Sequence, residues 1–237
     1  MESLIVVPDD VDRLRNELIL RGDEAHHALK SLRLRPGDAL LATDLEGICY
    51  ECQLTGEQDK NALCSIQKVL PNFGEPSRDV LLIQAMIAQP ARWEFLLEKA
   101  TELGVSQIQP IITERTEQRH LRRDRSERIL RAAVKQTKRS RLPTLLMPDD
   151  NELGSFEDAL QSARQAGREI ILLHDEAVEA LGTASTSSIA IVVGPEGGFT
   201  DAELRVALDR GARLASLGSR RLRAETAAIA ALAILSV

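Results

Sequence analysis

Aromatic residues are scarce in this chain of 237 residues, at 3%, with one Trp, one Tyr and four Phe. A surface that binds by rows of stacked aromatic rings is therefore not expected to dominate. Long apolar runs are missing as well. None reaches 18 residues, and the most apolar stretch, Ala224 to Val237, carries Glu225 and is too short to span a bilayer. Pro8, Asp9 and Asp10 interrupt the only early apolar run, so no signal-peptide pattern opens the chain and a cytoplasmic location is expected. Neither G-x-x-x-x-G-K-[ST] nor G-x-G-x-x-G occurs, which excludes a P-loop and a dinucleotide fingerprint. Cysteine is limited to three residues, an odd number. Cys49 and Cys52 form a C-x-x-C, but ICYECQL alternates like a strand, and positions three apart on a strand face opposite sides. Buried thiols in a reducing compartment are the expectation, and no metal.

What is present is a soluble, globular composition, 43% hydrophobic and 28% charged, long enough for one large or two small domains. Residues 1–72 read as short strands, Leu4–Val7, Glu17–Leu20, Ala39–Thr43, Cys49–Leu54 and Leu63–Leu70, interrupted by one helix, Glu24–Leu34. That pattern suggests a small β-barrel. PNFGEPSR (Pro71 to Arg78) concentrates turn residues, so residues 73–79 are taken as a linker. From residue 80 to 237 strands and helices alternate, as in an α/β sheet. VLLIQAMI (Val80 to Ile87) reads as a strand buried on both faces. The helix Ala91–Leu103 is expected to bury Trp93, Leu96, Leu97, Ala100 and Leu103 and to stop at Gly104.

Two stretches carry site chemistry. GPEGGFTDAE (Gly194 to Glu203) follows the strand-like SSIAIVV, and Thr200 with Glu203 forms a capping box for the next helix. A glycine-rich turn at this place exposes backbone N–H groups and lets a ligand approach the main chain. LGSRRLRAETA (Leu217 to Ala227) likewise follows a short strand, Ala212–Ser216. Charge supplies a third feature. The net charge is −6, yet residues 115–141 hold eleven Lys or Arg against Glu117, Asp124 and Glu127, a local +8 that leaves −14 elsewhere. On a helix over Ser126–Ser140, Arg128, Arg131, Lys135 and Lys138 share one side, opposite Ile129, Leu130, Ala133, Val134 and Thr137. A stripe of one sign, with Arg119 in RHLRRDR just before it, points to phosphates rather than to an ordinary solvated face.

GPEGGFT.AE and LG.R.LR.ETA together resemble the SPOUT superfamily of knotted methyltransferases. More narrowly they are similar to its RsmE family of 16S ribosomal RNA uracil-N3 methyltransferases. HHALKSLRLRPGD (His26 to Asp38), RWEFLLEKATELGV (Arg92 to Val105), TER (Thr113 to Arg115) and KRSRLP (Lys138 to Pro143) extend the likeness along the chain. The resemblance implies a PUA-like barrel over 1–72 and, over 80–237, an α/β methyltransferase domain with a deep trefoil knot. It implies S-adenosylmethionine as cofactor, 16S ribosomal RNA in the small subunit as partner and substrate, and a homodimer that buries the apolar C-terminal region. The cofactor contacts carried over are Leu172, Leu173 and His174; Gly194, Pro195, Glu196, Gly197 and Gly198; Leu217, Gly218, Ser219, Arg220 and Leu222; and Thr226. His174 reads equally well as an ordinary strand-end residue. No Gly-rich turn follows the first α/β strand, as a Rossmann methyltransferase would require.

Uracil N3 carries a proton that must leave before nitrogen attacks a methyl group, so the site needs an acceptor or a cation that stabilises the imide anion. Arg223 is the first choice for that work, with Glu225 and Glu196 as nearby carboxylates. Glu225 also reads as an acid favoured by a helix N-terminus. The family pattern is L-R-T-E-T-A. Here Ala224 replaces Thr, so any hydroxyl role there is absent or moves to Thr226. Thr137 and Lys138 also depart from the family's small residue and glycine. Further RNA contacts are expected at Arg33 and Arg35, Arg115, and Arg139 and Arg141. The rival readings are a SPOUT enzyme acting on another nucleotide, and a non-catalytic RNA-binding protein that keeps the fold.

Overall fold

The computed structural model describes residues 3–149, 152–182 and 186–235. Contacts divide it into two units, residues 1–75 with 131–142, and residues 76–130 with 143–237. The sequential division at 72 and 80 thus misses one strip, 131–142, which lies far along the chain yet packs with the N-terminal unit.

In the first unit a six-stranded sheet runs β1 (Ser3–Ile5), β4 (Ala39–Thr43), β5 (Ile48–Gln58), β6 (Asn61–Pro71), β3 (Glu17–Leu20), β2 (Val11–Asp12). Only β1 with β4 is parallel. β1 and β2 are its edges, so the expected closed barrel is a half-barrel among the described residues. β2 stops after two residues because Asp12 Oδ1 accepts the N–H groups of Leu14 and Arg15, at 3.0 Å each. The long β5–β6 hairpin turns at Asp59 and Lys60, both with positive φ (50° and 65°), a twist that hairpin turns favour and that here proceeds without glycine. The expected helix is shorter and mixed: α1 (Gly22–His26) passes into one π-helical turn, His27–Ser31. Tyr50, Cys52 and Leu54 alternate into the core beside Leu4, Leu18 and Leu40. Cys49 faces the other side, its Sγ 4.0 Å from the Lys138 carbonyl. Burial pushes the Cys52 and Cys64 thiols up to about 12 and Cys49 to about 11, so all three stay protonated and unreactive at neutral pH.

The second unit is a parallel sheet in the order β10 (Gly154–Ser155), β8 (Gln107–Ile112), β7 (Asp79–Ala85), β12 (Ser188–Val193), β11 (Glu169–Leu173), β13 (Arg213–Ala215), with β9 (Thr144–Leu145) also on β8. β7 and β12 occupy its middle, and their continuous apolar runs are buried on both faces, as such a position demands. Helix α2 (Pro90–Glu102) buries Trp93, Leu96, Leu97 and Ala100, as the periodicity predicts, whereas Leu103 falls at the C-cap and is only partly buried, because the helix ends one residue sooner. α4 (Phe156–Gln165), α5 (Asp201–Asp209) and α6 (Ala224–Leu235) complete the helices of this unit, and Phe156, Ala159, Leu160 and Ala207 close onto the sheet core.

The basic helix is shifted from its expected place. α3 spans Arg123–Thr137 and ends where Lys138 takes a left-handed φ of 60°. Lys138 therefore lies beyond the helix and not on its stripe. The charge pattern extends past the point where the backbone turns, because charge periodicity carries no stop signal.

Candidate functional site

The carboxyl ends of β11, β12 and β13 enclose a cavity of about 560 Å³. Crevices at the carboxyl ends of parallel strands are where open α/β sheets bind ligands, and this volume suits a small organic molecule.

The first wall is the turn after β12. Gly198 donates its N–H to the Pro195 carbonyl at 2.9 Å and has φ +70°. Thr200 then caps α5: its hydroxyl accepts the Glu203 N–H at 3.3 Å, and Glu203 Oε2 accepts the Thr200 N–H at 2.8 Å, the expected capping box. The turn is also held from outside. Glu203 Oε1 accepts the Glu114 N–H at 2.8 Å, and Arg115 Nη1 donates to the carbonyls of Gly197 (2.8 Å) and Phe199 (3.3 Å). A Cβ on Gly197 would meet the Arg115 stem at 3.2 Å, and one on Gly194 would meet the Phe199 ring at 3.0 Å. Phe199 is itself buried on Phe156, ring centres 5.2 Å apart.

The second wall is the loop after β13. Ser216 Oγ accepts the Gly218 N–H at 3.0 Å, and Gly218 has φ +101°. Gly218 and Gly198 both face open space where a side chain would project. Leu217, Arg220, Arg221, Leu222 and Arg223 continue this wall, and Arg221 makes one long bond, 3.4 Å, to the Glu196 carbonyl. The guanidinium groups of Arg220 and Arg223 have no hydrogen-bond or ion-pair partner among the described residues, while the Arg223 carbonyl accepts the Ala227 N–H at 2.8 Å. At the end of β11, Leu173, His174, Asp175 and Glu176 form the third side. His174 Nδ1 accepts the Glu176 N–H at 3.3 Å, and the His174 N–H bonds the Ala215 carbonyl at 2.9 Å.

The structure brings together Leu173, His174, the five residues Gly194–Gly198, Leu217, Gly218, Arg220, Leu222 and Arg223 around this cavity. Four others stand elsewhere. Leu172 is fully buried within β11, and Ser219 and Thr226 do not face the cavity. Glu225 is buried and outside the cavity lining, its Oε1 3.6 Å from Arg92 Nε and its Oε2 without a hydrogen-bond partner among the described residues. Glu196 lines the cavity while its Oε1 accepts the Ala88 N–H at 3.2 Å. Arg115 was expected on an RNA surface and instead lines the cavity as a clamp on the glycine turn. Arg221 lies within the expected wall Leu217–Leu222 and lines the cavity, whereas Asp175, Glu176 and Phe199 were not expected there. Only the unbroken spacing from His174 hinted at Asp175.

The basic residues divide. Arg33, Arg35, Arg119 and Arg131 are exposed. Arg128 is exposed and leans on Asp124 at 3.4 Å. Lys135 is held by both oxygens of Glu24 at 2.9 Å, and Arg139 is 2% exposed with its guanidinium 2.7 Å from Glu75. The charge of those two is met by carboxylates far away in sequence. Arg141 is exposed but tied to Asn72 Oδ1 at 2.9 Å. Among the described residues no three His, Cys, Asp or Glu cluster to hold a metal, and no helix is long and apolar enough to cross a membrane.

Residues 74–236 match the RNA methyltransferase domain family, and residues 20–67 match the RNA methyltransferase PUA domain. The chain is 31% identical over 234 residues to the Ribosomal RNA small subunit methyltransferase E of Mycobacterium tuberculosis, covering 92% of this chain and 86% of that one. It belongs to the ribosomal RNA small subunit methyltransferase E family. A Synechocystis member of that family is 30% identical, over 97% of this chain and 75% of its own. The fold agrees. The crystal structure of the Neisseria gonorrhoeae methyltransferase E, bound to S-adenosyl methionine, superposes with a TM-score of 0.82 at 28% identity, covering 98% of this chain and 95% of that one. The N-terminal half-barrel is thus the family's PUA-like domain, and the parallel-sheet unit its methyltransferase domain.

Proposed function

We propose that this protein transfers a methyl group from S-adenosylmethionine to N3 of a uridine in 16S ribosomal RNA. The observation that carries the reading is the cavity walled by Gly194–Gly198 and Leu217–Arg223 in a chain of this family. The residues fit the cofactor. Gly198 and Gly218 leave open space at the wall where side chains would intrude, and Asp175, Glu176 and Glu196 supply carboxylates on the cavity rim for a ligand with cationic groups. S-adenosylmethionine supplies an electrophilic methyl on a sulfonium.

The chain's own residues do the rest. Arg223 is on the cavity wall with its guanidinium unpaired among the described residues, placed to stabilise the imide anion that forms as the N3 proton leaves. Glu196, also on the wall, is the carboxylate positioned to accept that proton. Glu225 stands behind the wall, so its role is to hold Arg92 at the start of α6. The exposed Arg33, Arg35, Arg119, Arg128 and Arg131 supply cations for RNA phosphates.

The finer expectations belong here too. A trefoil knot is supported by residues 213–216: the Ala215 carbonyl bonds His174, and Ser216 pairs with Ala180 and bonds Leu181 at 2.7 Å, so this segment runs between two parts of one loop. A homodimer is supported by the apolar face that α6 leaves uncovered at Ala227, Ala230, Ala233 and Ile234, since a helix apolar on nearly every side is expected to be buried. The small ribosomal subunit as substrate and a cytoplasmic location follow from the RNA that the reading assigns. The test is to map modified uridines in ribosomal RNA from cells with and without this protein. Loss of one N3-methyluridine bears the reading out, and an unchanged map refutes it.

A further inference from the structure

A second cleft, of about 350 Å³, opens beside the first and shares no lining residue with it. Its floor is apolar and buried: Met86, Ile87 and Leu121, with Trp93 at 3% exposure. Trp93 Nε1 is a buried donor with no acceptor among the described residues. An N–H removed from water without a partner is costly, so a ligand that brings a neutral acceptor is favoured. The rim is different. His120, Arg122 and Arg125 stand there, Arg125 bonded to Glu94 at 2.8 Å, while Arg122 is 72% exposed and makes only a 3.4 Å contact to Asp124.

An apolar floor with an unused N–H suits a ring that carries a carbonyl or ring-nitrogen acceptor. A cationic rim calls for an anion attached to that ring. One chemical unit has both, the nucleotide. Single-stranded RNA is read in this manner, with bases unstacked onto aromatic side chains and their edges hydrogen-bonded. The placement also fits. Met86 and Ile87 follow β7, which pairs with β12, the strand that ends in the glycine turn. Between the two clefts the Ala88 N–H is bonded to Glu196.

We propose that this cleft receives an unstacked base of the substrate RNA, a neighbour of the base that is methylated. The proposal rests on the RNA methyltransferase reading for the identity of the strand. Low aromatic content does not oppose it, because one indole suffices for one base.

Trp93 is the only tryptophan in the chain, so its emission reports on this cleft alone. The experiment titrates oligouridylate into the full-length protein saturated with S-adenosylhomocysteine, which keeps the first cavity filled. End-label polarisation is followed alongside tryptophan emission. The expected result is a saturable change in emission that coincides with binding. Trp93→Phe keeps a ring and removes the N–H, and should weaken oligonucleotide binding roughly ten-fold while S-adenosylmethionine affinity by calorimetry stays as in the wild type. Arg122→Glu, on the exposed rim, should weaken binding at least as much and does not depend on a core change being tolerated. Binding without an emission change, absence of binding, or wild-type affinity in Arg122→Glu would each overturn the proposal. Emission that shifts on diluting the protein alone would place a second copy of the chain in the cleft, and would also overturn it. Failure of the methyltransferase reading is seen separately, as wild-type protein that neither binds S-adenosylmethionine nor methylates ribosomal RNA.

Discussion

The turn at 194–199 and the loop at 217–223 line the same cavity, yet they are built on different terms. The turn is tied at both ends: Arg115 holds two of its carbonyls, Glu203 joins the helix cap to Glu114, and Phe199 is buried on Phe156. The loop has the Ser216–Gly218 bond, one long contact from Arg221, and otherwise exposed arginines. A preorganised wall fixes where a ligand sits, because no ordering cost falls on binding. A loosely held, cationic wall can reorient as charge develops in the reaction. On the proposed reading, affinity for the cofactor resides in the turn and turnover in the loop.

Four measurements break or sharpen that division, and the largest effect is expected in the loop. Arg223→Ala should lower kcat by roughly 10²–10³, the usual effect of losing one donor to a developing anion. S-adenosylmethionine affinity should stay near wild type, and a matching loss of affinity would erase the distinction between the walls. In the turn, Arg115→Ala removes two charge-assisted bonds and should weaken S-adenosylmethionine binding by about ten- to a hundred-fold. RNA affinity and its salt slope should not change, and a shallower slope would return Arg115 to the phosphate surface. Gly197→Ala should cost a few-fold in affinity, because the added Cβ presses on Arg115 Cβ at 3.2 Å and on its Cδ at 3.3 Å; calorimetry with Arg115→Gly as background, which removes both atoms, should show the penalty disappear. The smallest contrast is kinetic. Amide exchange should be slower for Gly198 and Glu203, whose N–H groups are bonded, than for Arg220 to Arg223. Equal rates would mean that both walls are equally ordered.

Local signals were legible. Thr200 and Glu203 gave the capping box from spacing alone, and the unbroken apolar runs gave the two central strands, because both rest on neighbours in sequence. Gly194–Gly198 and Leu217–Leu222 were legible as cavity walls through likeness to a family. What escaped depends on partners far along the chain. Arg115 finds its carbonyls 82 and 84 residues away, Lys135 finds Glu24 at 111, and Arg139 finds Glu75 at 64. A basic stripe looks the same in sequence whether carboxylates or phosphates meet it. Asp59 and Lys60 hid a hairpin turn, since Asp tolerates positive φ but Lys60 stands where glycine is normally selected.

The carboxylate of Glu75 accepts from the Arg139 guanidinium, from the Ser140 N–H and hydroxyl, and from the Arg141 N–H. Among the described residues these partners come from three residues near the middle of the chain. During synthesis Glu75 emerges long before them and stays hydrated until they arrive. The N-terminal unit is therefore finished only after residue 142 has left the ribosome, and a gene fragment ending at residue 75 would encode an unfinished piece and not a portable cassette. Anyone who grafts this half-barrel onto another enzyme must carry the strip 131–142 with it, or replace Glu75 with a residue that has no charge to satisfy.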